Sequence, residues 1–294
     1  MKRGAIRRET TAYAFLLPFL AVFALGVAAP LLYSLKLSLY QERMVGGRVF
    51  AGLDNYLTAV QDRLFHAGLA RVALFLAVQV PLMLALALAA ALALDSGRLR
   101  GAGLFRIGLF VPYAVPGVVS ALIWGYLYGD RFGLAGEVSD LLHTRLPDLL
   151  SGGWMLASIG NIVTWSYTGY NMLIFHAALR AVPAELYEAA EVDGAGALRK
   201  AVSIKLPALR PALLLATTFS VIGSFQLFNE PSVLQALAPA AITTNYTPNM
   251  YAYSLAFDGR QFDYSAAVAV LLGLVVVVVA YAVQRATART ERAL

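Results

Sequence analysis

Six stretches of the chain, at about residues 11–35, 72–94, 107–128, 154–179, 212–229 and 264–283, contain no Asp, Glu, Lys or Arg. About 20 predominantly apolar residues in a helix cross the hydrocarbon core of a bilayer. The six runs therefore predict six transmembrane helices, which take up nearly half of the 294 residues. With 60% hydrophobic and only 14% charged residues, the composition is that of a membrane protein. The first run exceeds the 7–15 apolar residues of a cleaved signal peptide, so a retained span is expected there, kinked by Pro18 and Pro30. In the third run Pro112 and Pro116 stand near the start, and Trp124, Tyr126 and Tyr128 near the end suit the interfacial aromatic belt.

Charge sets the expected orientation. The N-terminal tail (residues 1–10), the loop after the second run, the segment around 183–211 and the C-terminal tail hold fifteen Lys and Arg against seven Asp and Glu. The intervening segments hold eight against ten. Positive residues accumulate on the cytoplasmic side, so both termini are expected inside. The net charge of +6 is thus a topological signal and needs no nucleic acid to explain it. There is no cysteine, which excludes thiol chemistry and disulfides. No phosphate-binding G-x-x-x-x-G-K-[ST], no H-E-x-x-H and no G-x-S-x-G occurs, and His66, His143 and His176 form no ligand spacing.

One cytoplasmic segment, residues 183–211, is long and rich in charge. Pro183 suits a first helical position. Glu185 and Glu188 follow at the positive end of the helix dipole, and Gly194 after Asp193 supplies a left-handed stop. A second helix is expected from Ala197 to Lys205, with Arg199, Lys200 and Lys205 toward its negative end and Pro207 closing it. A helix of about ten residues is marginal alone in water. Either the segment is a surface loop between two spans, or it meets a partner surface, which the small pair Ala189–Ala190 would let approach closely.

Glu188-Ala189-Ala190, Asp193-Gly194-Ala195, Ile204, Leu206-Pro207 and Pro211 resemble the EAA loop of permease subunits of bacterial ABC importers. Pro183, Glu185, Leu186 and Tyr187 fit the sugar-permease branch, of the maltose and glycerol-phosphate type. Ala201 and Leu198 depart from it, standing where the family usually has Phe and often Trp. The stretch from Thr243 to Tyr253, followed by Ala256-Phe257 and Tyr264-Ser265-Ala266-Ala267, is similar to the approach to the last span in the same branch.

The resemblance implies an all-α integral membrane protein with six transmembrane helices and a cytoplasmic EAA coupling-helix loop. It implies a 1–10 tail, a permease domain over 11–294, and a bacterial inner-membrane location. Implied partners are a second, homologous permease, two cytoplasmic ATPase subunits and an extracytoplasmic sugar-binding protein. The chain would need no cofactor and do no chemistry, ATP being bound by the ATPase subunits. Glu185, Tyr187, Glu188, Ala189, Ala190, Asp193, Gly194, Leu206 and Pro207 would carry the coupling.

Uncharged spans argue against a proton-driven transporter, which usually keeps a charged group in the membrane. They also favour a neutral cargo. The polar groups of the fourth and fifth runs, among them Asn161, Trp165, Ser166, Tyr167, Tyr170 and Asn171, then Ser220, Ser224, Gln226 and Asn229, can bond hydroxyls or stack on a sugar ring. Tyr167 with Asn171, and Ser220 with Ser224, are four apart and share a helix face. Each could equally serve helix–helix packing. The expected pathway set is Trp165, Tyr167, Tyr170, Asn171, Ser220, Ser224 and Asn229. Counting from the EAA motif, the likeness to the maltose-type permease places Tyr170 and Ser220 at cargo contacts. Alternatives are an importer permease for another solute, such as glycerol phosphate or a polyamine, and a secondary transporter or channel.

Overall fold

The structure, a computed structural model, describes residues 2–43, 45–130, 133–144 and 147–292, with side chains between 13 and 285. Of the basic side chains counted above in the two tails, only that of Arg285 lies within that set. The chain forms two compact units, one of residues up to Phe65 with Ala252–Leu274, the other of His66–Tyr251 with the remaining C-terminal residues.

In the first unit α1 (Lys2–Phe23) runs through a π-turn, Ala24–Ala28, into α2 (Ala29–Ser38). A short antiparallel hairpin follows, β1 (Tyr40–Arg43) with β2 (Gly47–Phe50), then α3 (Asp54–Gln61). This hairpin and helix occupy what reads in sequence as a polar loop. Buried Asn55 ties it together by donating to the carbonyls of Ser38 (2.9 Å) and Tyr40 (2.7 Å). Arg48 Nη2 pairs with the buried Asp263 carboxylate at 2.6 Å, and the Tyr264 hydroxyl donates to Asp62 at 2.8 Å.

The second unit begins within α4 (Arg63–Asp95), which starts nine residues before the expected span. Then come α5 (Ala102–Ala114), α6 (Gly117–Leu127), α7 (Leu134–Leu141), α8 (Met155–Arg180) and α9 (Ala184–Val192). Next α10 (Ala197–Lys200) passes through a second π-turn, Ala201–Lys205, into α11 (Leu206–Ala208) and α12 (Arg210–Phe225). After α12 lie α13 (Asn229–Leu237), α14 (Pro248–Phe257) and α15 (Phe262–Arg292).

On α4 the buried positions include Val72, Phe75, Gln79, Val80, Met83, Leu84, Ala87, Ala91 and Leu94. On α8 they include Met155, Ile159, Ile162, Ser166, Gly169, Met172, Phe175 and Leu179. Spacings of three and four put each set on one helix face. The two faces meet in a core that includes Leu209 and Ala216 of the α11–α12 region.

Three helical stretches are long and apolar enough to cross a membrane, Tyr13–Ser38, Arg63–Asp95 and Phe262–Arg285, among the described residues. Two bent pairs bring the number to five if each is one crossing. The third expected span, 107–128, is one of those pairs: α5 and α6 meet at 101°. Val115 and Pro116 are both extended at the break, because the residue before a proline is driven out of the helical region. The other pair is Ala197–Ala208 with Arg210–Phe225, bent by 60°. α8 coincides with the fourth expected span, and its 26 residues reach about 39 Å.

Both π-turns precede a proline at the second position of the next helical segment, Pro30 in one case and Pro207 in the other. A proline ring collides with the carbonyl four residues back and lacks the N–H that would bond it. A widened turn relieves that collision, so Pro207 lies inside helix where the sequence reading had it end one.

Candidate functional site

α4, α8, α12 and the turn into α13 enclose a cavity of about 270 Å³. Phe75, Gln79 and Met83 face it from α4; Val163, Tyr167, Tyr170 and Asn171 from α8; Phe219, Ser220, Gly223 and Ser224 from α12. Gln226, Leu227, Asn229 and Glu230 complete the wall. Six of the seven pathway residues expected from sequence are thus brought together: Tyr167, Tyr170, Asn171, Ser220, Ser224 and Asn229. Trp165 is not on this wall. Its ring packs edge-on against Trp124, 5.9 Å between centroids at 76°. Asn229 is also differently placed than expected, because α12 stops at Phe225 and Asn229 opens α13.

The polar groups of the wall fall into two sets. Asn171 is buried and donates back to the Tyr167 carbonyl at 3.0 Å, and Ser224 donates to the Ser220 carbonyl at 2.8 Å. Gln79 Nε2 reaches Thr164 Oγ1 at 3.3 Å. Those groups hold the wall. Among the described residues no hydrogen bond engages the side chains of Tyr170, Ser220, Gln226 or Asn229, so these are open to a ligand. Tyr113 of α5 stacks on Tyr170 at 4.6 Å and meets Tyr167 edge-on at 5.7 Å, fixing both rings. α5 can lie this close because Gly169 has no side chain: a Cβ there would stand 1.7 Å from the Leu109 carbonyl oxygen.

Gln79 and Glu230 escaped the sequence reading. Gln79 is the only amide in the 72–94 run, which was the available signal. Glu230 follows directly on the fifth expected span and reads as loop; the structure puts it in the first turn of α13. A carboxylate suits that position beside the helix's positive end. Among the described residues no Lys or Arg lines the cavity.

The loop expected to couple, residues 183–211, is folded locally. Pro183 is the cap of α9, with φ −57° and ψ 137°, so the helix opens one residue later than expected, at Ala184. Glu185 occupies the first turn. At the far end Gly194 takes φ +74°. Its N–H donates to the Glu191 carbonyl (3.0 Å), and the Ala195 N–H to the Ala190 carbonyl (2.8 Å), the paired bonds that close a helix through a left-handed residue. Lys200 then reaches back to Glu191 at 2.6 Å. Glu185, Glu188, Ala189 and Asp193 are exposed, as are the apolar Leu186 and Val192 and, on the next turn, Leu198 and Val202. Ala190, Leu206 and Pro207 are half-buried. Tyr187 turns inward, its ring 5.6 Å from the Lys205 ammonium.

Residues 83–292 match the family of binding-protein-dependent transport system inner membrane components. The chain belongs to that family. It is similar to the lactose transport system permease protein LacF of Rhizobium radiobacter, 31% identical over 288 residues and 95% of each chain. It is 35% identical over 248 residues to the diacetylchitobiose uptake system permease protein NgcF of Streptomyces coelicolor, covering 79% of this chain and 69% of that one. Its fold matches a chain of a bacterial ABC transporter involved in import of the acidic polysaccharide alginate, TM-score 0.83 at 18% identity over 97% and 98% of the two chains. A chain of a bacterial alginate ABC transporter in complex with an alginate pentasaccharide-bound periplasmic protein gives 0.84, also at 18% identity. The protein is a membrane permease subunit of an ABC importer, and as such is not an enzyme.

Proposed function

We propose that this permease forms half of the translocation pathway for a neutral sugar or oligosaccharide. The cavity between α4, α8 and α12 would be its contact with cargo, and residues 183–211 its contact with a cytoplasmic ATPase. The observation that carries the cargo reading is the makeup of the wall among the described residues: stacked tyrosines, open amides and a hydroxyl, one carboxylate and no cation. Aromatic faces and uncharged donors match the two faces of a pyranose ring, whereas Glu230 would repel a phosphate or uronate. The relatives named for lactose and diacetylchitobiose support the same class. Glu230 also favours one second reading, a cargo bearing an amine.

Exposed Leu186, Val192, Leu198 and Val202 around α9 support docking, since isolated surfaces seldom gather such residues beside one another without a partner. The partners would be two ATPase subunits, a homologous permease and an extracytoplasmic binding protein. We count six crossings, taking α8 as the sixth, with both termini inside. Reporter fusions after Gly196 should read cytoplasmic, and those after Gly136 and Asn249 external. An external signal at Gly196 overturns the topology. For cargo, the complex reconstituted with its binding protein should take up neutral disaccharides; a preference for uronate oligosaccharides would refute this reading, and a preference for polyamines would install the second.

A further inference from the structure

The three cavity-lining helices differ in how they reach the coupling loop. α8 runs into it and α12 runs out of it, so both move with it through the backbone. α4 has no such continuity, yet it supplies Phe75, Gln79 and Met83 to the wall. Its cytoplasmic end carries Asp95, an acid at the negative end of a 33-residue helix, where a carboxylate is disfavoured. The structure supplies the reason for that residue. Asp95 Oδ2 is bonded by the Lys205 ammonium, 110 residues away in sequence. The two side chains are only 13% and 17% exposed.

Lys205 ends the π-turn Ala201–Lys205, a wide turn of the kind often found at functional bends. Tyr187 of α9 lies against the same ammonium, and its buried hydroxyl has no hydrogen-bond partner among the described residues. The coupling helix, the bend before α12 and the end of α4 therefore converge on one cation. Leu94 and Leu209 pack in the apolar core nearby. Apolar contact lets surfaces slide, whereas a shielded ion pair holds a register because separating it strands a charge.

We propose that Asp95 and Lys205, with the Tyr187 ring over the ammonium, form a clamp that makes α4 follow the coupling loop, so that displacement of the loop reaches the α4 wall of the cavity. The proposal rests on the reading of residues 183–211 as the ATPase contact. Asp95 and Lys205 are positioning residues: neither lines the cavity, and both side chains are largely buried. α4 runs from Asp95 to the cavity at Met83 in twelve residues, about 18 Å of rigid helix.

The test uses the whole complex, with partner permease, ATPase and binding protein, reconstituted in proteoliposomes. ATP turnover and sugar uptake are measured together and normalised to assembled complex. Asp95→Asn and Lys205→Met should each keep ATPase association and hydrolysis but lower sugar moved per ATP by about five-fold or more. The exchange Asp95→Lys with Lys205→Asp should recover most of that ratio, and Lys205→Arg should hold it near the starting value. A merely structural pair would change the amount of assembled complex and leave the ratio alone. Single variants with an unchanged ratio, or an exchanged pair that assembles but does not recover, overturn the clamp. Gly194→Asp serves as the reference: if it too leaves ATPase binding and uptake intact, the loop reading has failed; if it uncouples while the Asp95 and Lys205 variants do not, only the clamp has.

Discussion

The cavity wall is drawn from points scattered between Phe75 and Glu230, whereas the loop at 183–211 is one unbroken stretch of chain. In the wall, position depends on how helices cross, and the side chains that hold it are bonded within their own helices, as Asn171 and Ser224 are, or across to a neighbouring one, as Gln79 is to Thr164. In the loop, position depends on short-range devices, namely a proline cap, a left-handed glycine and a lysine nine residues beyond its acid. Two kinds of function follow from two kinds of construction. A binding surface assembled from distant helices changes shape when they shift. A locally closed helix keeps its shape and can be moved as a body.

A substitution at a helix crossing should therefore damage the wall and spare the loop. Gly169→Leu is the strongest case, because even a Cβ would overlap the Leu109 backbone and nothing flexible can yield. Overpacking of this kind costs about 1–3 kcal/mol and sometimes more. Uptake should be lost and thermal stability in detergent reduced, while ATPase still co-purifies with whatever protein inserts. Loss of ATPase binding in parallel would show that loop and wall are not separately built.

Tyr170→Ala attacks the wall without moving a helix. It removes the ring stacked on Tyr113 and should weaken cargo handling by about 10- to 100-fold, on the order of 1–3 kcal/mol, with assembly intact. Uptake measured at limiting substrate decides it, and unchanged uptake removes Tyr170 from the site. Trp165→Ala should act on stability rather than uptake, since that ring packs on Trp124.

Gly194→Asp attacks the loop. A side chain at φ +74° meets the left-handed penalty of about 1–2 kcal/mol. Open space surrounds the glycine, so the cost is conformational and not a clash within this chain. ATPase co-purification or the coupling of hydrolysis to uptake should fall, with cargo affinity unchanged. Glu188→Lys, exposed on the same helix, should act likewise by reversing the charge shown to the partner.

The same contrast explains what could be read in advance. Gly194, Glu185 and the ends of α9 were legible to within a residue because their chemistry is local. Tyr167, Tyr170, Ser220 and Ser224 stood out because a polar group inside an apolar run is conspicuous. The 101° break between α5 and α6 was legible only as two prolines; its size depends on the packing of α5 on α8 at Gly169. Residues 230–237 and 248–257 read as polar loop yet are helical, held by long-range bonds such as Thr247 to the Leu227 carbonyl and Asn249 to the Phe225 carbonyl. The pairing of Asp95 with Lys205 left no trace in sequence, since no local pattern links positions so far apart.

The smallest effect expected in the loop is at Glu191, and it bears on whether α9 is closed by its backbone or by its charges. Hydrogen bonding from Lys200, reinforced by its charge, holds the Glu191 carboxyl below its ordinary value of 4.5. A group with a lowered folded value stabilises fully above the unfolded value, and that contribution is lost as pH falls through the lowered one. Protection of the amides of Gly194 and Ala195 from hydrogen exchange should therefore be flat from pH 8 down to about 5, apart from intrinsic exchange chemistry, and weaken only in acid. Glu191→Gln should abolish that acid dependence and change protection near neutrality little, because the Glu191 side chain is 65% exposed and exposed pairs contribute little. The two backbone bonds across Gly194 would then be what closes the helix. A large loss of protection in Glu191→Gln at pH 7 would reverse that ranking, making the ion pair, rather than the glycine, the device that aims α9 at its partner.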